Sequence, residues 1–244
     1  MAVILLVDRR FPAANNTPAK GLDAMLFDIP KVASRLCLPL LALILILQGC
    51  DEAPTYSPLP TGTTVLAFGD SVTFGTGAGS SEDYPALLAT ATGWNIINAG
   101  IPGDTAQKGQ SRIESLLKQH NPQLVIIGLG GNDFLRRRPE QAVKEDLRNI
   151  VVQVQNSGAI AALIAAPEFS LFRAGLGVLS DSPIYGELAE EEDAVLIAAV
   201  FSKVLSDDRL KTDAIHPNAK GYREMSYGIL QAISQAGLYA TDND

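Results

Sequence analysis

Short apolar runs recur along this chain, each ending in small or polar residues before a longer amphipathic stretch begins. Thr64–Phe68 stops at Gly69, Trp94–Asn98 leads into Gly100, Leu124–Ile127 stops at Gly128, and Ala159–Ala165 stops before Pro167. Continuously apolar runs of this length fit strands buried on both faces, which occur in parallel sheets. Between them, helices are expected over Tyr84–Thr92, from Thr105 to Asn121-Pro122, from Pro139 to near Gly158, and over Asn218–Gln235. In the last of these, Tyr222, Met225, Ile229 and Ile233 form the inward stripe. Val195–Val200 reads as a fifth strand, although an Ala-rich run of this kind also suits a helix. Regular alternation predicts an α/β fold: a three-layer sandwich around a parallel, roughly five-stranded sheet.

The alternation also places chemistry. In such sheets ligands bind beyond the carboxyl ends of the strands. Gly69-Asp70-Ser71 follows the first strand, Asn98-Ala99-Gly100 the second, Gly130-Gly131-Asn132-Asp133 the third, and Asp213-Ala214-Ile215-His216 precedes the last helix. All four fragments are therefore expected at one edge. A serine hydroxyl needs a base to become a nucleophile. His216 supplies one, and Asp213 at three residues' spacing would hold one ring nitrogen while the other faces Ser71. Backbone N–H groups of Ser71 and Gly100 and the amide of Asn132 are the candidate donors to an oxyanion. Asp70 reads as a brace for its loop, and Asp133 either caps a turn or positions Asn132. His120, at a helix end, reads as a surface residue favoured by the dipole.

Other motifs carry less. Gly75-Thr76-Gly77-Ala78-Gly79 lacks dinucleotide spacing and is expected to form a flexible rim. No Gly-x-Ser-x-Gly elbow occurs. Arg136-Arg137-Arg138 reads as a solvated loop, or alternatively as a steering patch for phosphate-bearing acyl donors. Glu190-Glu191-Glu192-Asp193 reads as a solvated segment. Pocket walls are expected from the 73–84 loop with Phe74, from Phe134, and from the 167–185 segment with Phe169, Leu171 and Phe172. With a net charge of −8, broad attraction to nucleic acid is not expected. Two cysteines and two histidines support neither a disulfide framework nor a metal cluster.

The N-terminal region has its own logic. Leu36–Leu47 is apolar and follows Lys31 and Arg35, but a spanning helix needs roughly 20 such residues, so a secretion signal fits better. Leu47-Gln48-Gly49-Cys50 looks like a bacterial lipobox, in which Cys50 takes a diacylglyceryl group and becomes the new N-terminus. Residues 1–49 are then leader and signal peptide, with Met25 an alternative start that would leave 1–24 untranslated. Residues 50–63, with Pro54, Pro58 and Pro60, have tether composition. The domain spans 64–238 and a polar tail 239–244. The expected location is the bacterial cell envelope, on a membrane through lipidated Cys50.

Taken in order, the four fragments resemble the SGNH, or GDSL, hydrolase family. Asn98–Thr105, Gly130–Arg137 and Ile215–Tyr222 are most similar to its bacterial arylesterase and acyl-CoA thioesterase/lysophospholipase group. The resemblance implies a flavodoxin-like sheet and a serine esterase acting on small ester or thioester substrates without a cofactor or metal. Ser71 would be the nucleophile, His216 the base, Asp213 its partner, and Gly100 with Asn132 the oxyanion hole. The same residues would serve a deacetylase of envelope carbohydrate. A lipoprotein that only binds acyl or glycan ligands is a third reading, which the intact serine, histidine and aspartate disfavour.

Overall fold

In the computed structural model, residues 55–168 and 179–240 are described. Five parallel strands form one sheet in the order β2-β1-β3-β4-β5. They are β1 Thr64–Gly69, β2 Asn95–Gly100, β3 Leu124–Gly128, β4 Ile160–Ile164 and β5 Val195–Ile197. The intervening helices are α1 Ser71–Phe74, α2 Tyr84–Thr92, α3 Ala106–His120, α4 Gly131–Leu135, α5 Glu140–Asn156, α6 Ile184–Glu191, α7 Val200–Leu205 and α8 Ala219–Gln235. Helices α3, α5 and α6 pack in series, and α8 packs on α2, α7 and β5.

The central strands explain the continuous apolar runs. Val65–Phe68 and Leu124–Ile127 are fully buried. Each buried Val, Leu, Ile or Phe among them contributes about 1.5–3 kcal/mol relative to exposure. Strand β2 lies at an edge and is only partly covered, which is where the polar Asn95 and Asn98 fall. The ambiguous Val195–Val200 run resolves into both alternatives: it is strand up to Ile197, and a new helix starts at Val200. The inward stripe of α8 is buried at all four positions.

The strand order reverses direction between β1 and β3, so loops leaving those two strands diverge and open a crevice. Ser71 stands just past β1 and Asn132 just past β3. That is the switch point where this topology binds ligands.

Residues that read as a tether are in part docked. The Tyr56 N–H donates to Ala236 O at 3.0 Å and the Leu59 N–H to Leu238 O at 2.9 Å. The Trp94 indole N–H donates to Leu59 O at 3.4 Å, and its ring meets Tyr239 edge-on at 5.8 Å. Tyr56 and Leu59 pack against the core, which their proline-rich context conceals. The acidic run also differs from expectation. Glu191 pairs with Lys144 at 2.9 Å and with Arg148 at 2.6 Å, Glu192 pairs with Arg148, and together they bind α6 to α5.

Candidate active site

Asp70 caps α1, its Oδ1 accepting the Val72 N–H at 3.0 Å. Ser71 therefore opens a helix directly at the end of β1, with its hydroxyl in the crevice. His216 Nε2 lies 3.0 Å from Ser71 Oγ, and His216 Nδ1 lies 2.8 Å from Asp213 Oδ2. The other carboxylate oxygen of Asp213 accepts the N–H groups of Ile215 and His216, both at 2.8 Å. Partial burial raises the Asp213 pKa, but hydrogen bonds from the His216 ring and these two amides outweigh it and hold the group below its ordinary value. A carboxylate so held keeps the proton of a neutral imidazole on Nδ1 and leaves Nε2 free as the base.

The loop carrying the histidine is fixed from both sides. The Thr212 N–H donates to His216 O at 2.9 Å. Asn218 caps α8 by accepting the Lys220 and Gly221 N–H groups, and its amide donates to Arg209 O at 2.9 Å. The glycine run expected as a flexible rim is pinned to this loop, because Tyr222 Oη donates to Thr76 O at 2.9 Å and Thr212 Oγ1 to Gly77 O at 3.3 Å.

Asn132 enters the crevice from α4, and its Nδ2 donates to Asp70 Oδ2 at 2.9 Å. One amide hydrogen is thereby used for orientation and the second remains for a ligand. Burial pushes the Asp70 carboxyl up to about 6, against the lowering effect of the Val72 and Asn132 hydrogen bonds. Asp133, fully buried, resolves its two alternatives differently. It accepts the Ala106 N–H at 2.8 Å and pairs with Arg138 at 2.5 Å, locking the start of α3 to α4. Arg138 also pairs with Asp146 at 2.8 Å, and Arg136 donates to Gly103 O at 3.1 Å. Among the described residues, only Arg137 of the three makes no such contact.

Gly100 departs from its expected role. Its N–H donates to Asn98 Oδ1 at 3.0 Å, while Asn98 Nδ2 donates to Thr73 O at 2.8 Å. The N–H is thus committed to its own strand end. Glycine is required there for packing, since a Cβ would sit 2.2 Å from Phe74 N and 2.7 Å from Thr73 C. Three residues on, Gly103 has φ +80° at the tip of a turn closed by the Asp104 N–H to Ile101 O bond. Gly103 makes no N–H hydrogen bond among the described residues. The repeated glycine of Gly100-Ile101-Pro102-Gly103 is the sequence signal for it.

Arg112 of α3 was not singled out by sequence reasoning. Its guanidinium donates to Gly69 O at 2.9 Å, Ala99 O at 3.0 Å and Asp104 Oδ2 at 2.8 Å, and it lies 4.1 Å over the Phe68 ring. It joins the ends of β1 and β2 immediately before Ser71 and Gly100.

The cleft over the serine is shallow and is bordered by Val72, Leu135, Phe201 and Ile215. Neither Phe74 nor Phe134 borders it. Phe74 is 56% exposed, and Phe134 turns to Tyr185 with ring centroids 6.4 Å apart. Phe169, Leu171, Phe172 and Cys50 lie outside the described residues.

A serine, an imidazole and a carboxylate stand in hydrogen-bonded series, with amide donors beside them, at the switch point of a parallel sheet, an arrangement that suits a carboxylic ester hydrolase. The sequence profile of the GDSL-like Lipase/Acylhydrolase family matches residues 67–224, and the chain belongs to that family. It is 36% identical over 162 residues to Thioesterase 1/protease 1/lysophospholipase L1 of Escherichia coli strain K12, covering 64% of this chain and 76% of that protein. Arylesterase of Vibrio mimicus is 29% identical over 178 residues, covering 69% and 87%. Among solved structures, AlinE4, an SGNH-hydrolase family esterase, is 31% identical with a TM-score of 0.56, covering 73% of this chain and 98% of that one. The TesA crystal structure has the same fold, with a TM-score of 0.64 at 24% identity, covering 71% and 99%.

Proposed function

We propose that the protein is a lipid-anchored serine esterase of the bacterial cell envelope that hydrolyses small carboxylic esters, with thioesters as further substrates, through an acyl-serine intermediate. One observation carries the chemistry: Ser71 Oγ, the His216 ring and Asp213 stand in series at 3.0 and 2.8 Å. Ser71 Oγ attacks the acyl carbonyl as His216 Nε2 takes its proton. The tetrahedral oxyanion is met by the Ser71 N–H, the second amide hydrogen of Asn132 and the N–H of Gly103, which replaces Gly100 in this role. On collapse, His216 returns the proton to the departing alcohol or thiol. Water, deprotonated by His216, then attacks the acyl-serine, and Ser71 leaves with the proton as the acid is released.

The printed names of the relatives, thioesterase/lysophospholipase and arylesterase, support a broad acyl range. The envelope location is supported by the signal-like run and Leu47-Gln48-Gly49-Cys50. Rates on p-nitrophenyl esters and acyl-thioesters of matched chain length test the reading. Turnover of both by the parent and of neither by Ser71→Ala is expected. Undiminished turnover by Ser71→Ala would remove it.

A further inference from the structure

The point where the N-terminal segment meets the domain lies at the pole opposite the serine. Tyr56 and Leu59 are hydrogen-bonded to Ala236 and Leu238, at the far end of α8. That helix begins three residues after His216 and runs for 17 residues, about 25 Å at 1.5 Å per residue. The parallel strands agree. Leu59 receives the indole N–H of Trp94, at the start of β2, whereas Gly100, Gly69 and Ser71 mark the other ends of β2 and β1. The docked segment thus leaves the fold below the sheet, and the crevice opens above it.

We infer that Ser71 faces away from the bilayer that holds the anchor, so that its substrates are esters dissolved in the aqueous space and not lipids of that leaflet. This rests on the proposed acylation of Cys50. Only residues 51–55 separate Cys50 from docked Tyr56, a reach of about 20 Å when fully extended. To turn the crevice toward its own membrane, the domain must raise Tyr56 above the headgroups by at least the length of α8, about 25 Å. The tether falls short, and a linker that cannot span two sites leaves the effective concentration near zero. The docking of Tyr56 and Leu59 is what shortens it. Were residues 50–63 all free, as their composition suggests, the reach would roughly double.

The test uses lipidated protein extracted from membranes and reconstituted in vesicles, beside a variant with about 20 Gly/Ser residues inserted between Glu52 and Ala53, a coil spanning about 25 Å on average and more when extended. p-Nitrophenyl acetate in solution and p-nitrophenyl palmitate embedded in the same vesicles are the two substrates. Equal rates on the acetate are expected for both proteins. On the embedded palmitate, the natural tether should be slower than the extended one by at least about tenfold. Equal rates on the embedded ester would overturn the inference. Intact-mass analysis separates the other failure: a Cys50 without acyl groups would overturn the anchoring reading, and this inference with it, while hydrolysis of the acetate would continue.

Discussion

The side-chain amide of Asn132 donates to the buried carboxylate of Asp70 across 2.9 Å, joining residues 62 positions apart in the chain. This bond makes the brace beside Ser71 and the proposed amide donor to the oxyanion one unit. It also gives Asp70 a measurable signature. Its carboxyl is raised by burial from the ordinary 3.8 to about 6, so the folded protein holds this proton more tightly than the unfolded chain. The resulting contribution, up to about 3 kcal/mol, is complete below pH 3.8 and is lost as pH rises through 6. Asp70→Asn should remove that dependence. Denaturant titrations at pH 4, 5, 6 and 7 should show the parent losing stability relative to the variant as pH rises; parallel curves would contradict this.

Asp213 is half exposed, yet three hydrogen bonds converge on it. Asp213→Asn keeps the shape but presents an N–H to Nδ1 in place of an acceptor. The imidazole is then held in the wrong tautomer, and kcat should fall by up to about 10⁴ with KM little changed. Steady-state kinetics on p-nitrophenyl acetate check this, and a near-parental kcat would show that something else orients His216.

Arg112 touches no reacting atom, but it holds the carbonyls of Gly69 and Ala99 together through one guanidinium. Arg112→Met should leave both carbonyls and Asp104 without their charged donor and cost about 3–5 kcal/mol of stability. Where the variant remains folded, kcat should fall by at least about tenfold, a loss of about 1.4 kcal/mol, with KM nearly constant. Arg112→Lys, which can reach only part of this set, should recover part of kcat. A purely structural role would lower stability in both variants and leave kcat per folded molecule unchanged.

Gly100→Ala puts a methyl group 2.2 Å from Phe74 N, against backbone that cannot rotate aside. The two segments must separate, at about 1–3 kcal/mol, and α1 moves with Ser71. Melting temperature and kcat should therefore drop together. A fully active variant of normal stability would show that β2 and α1 are less tightly apposed.

The sheet was legible because buried strands cannot hide. Leu124–Ile127 has one reading in a parallel sheet, and Tyr84–Thr92 is bounded by its own signals, Asp83 with Pro85 at one end and Gly93 at the other. The meeting of Ser71 with Asp213 and His216 was legible because Ser71 falls at the end of β1 and the other two fall in the short loop just before α8. Gly100 was misread for a physical reason. A glycine near a nucleophile invites a substrate contact, and its sequence does not reveal that Asn98 folds back to take its N–H. Phe134 was misplaced because a five-residue helix sets which way its ring turns, and Tyr185, 51 positions on, receives it. The importance of Arg112 lies in three acceptors spread from Gly69 to Asp104, a convergence that periodicity cannot express.

Covalent trapping tests the nucleophile most directly. A fluorophosphonate probe should react with the protein once per chain, and peptide mass spectrometry should place the adduct on Ser71, with none on Ser71→Ala. An adduct on another residue, or a Ser71→Ala protein that still cleaves p-nitrophenyl acetate at the parental rate, would contradict the assignment of Ser71.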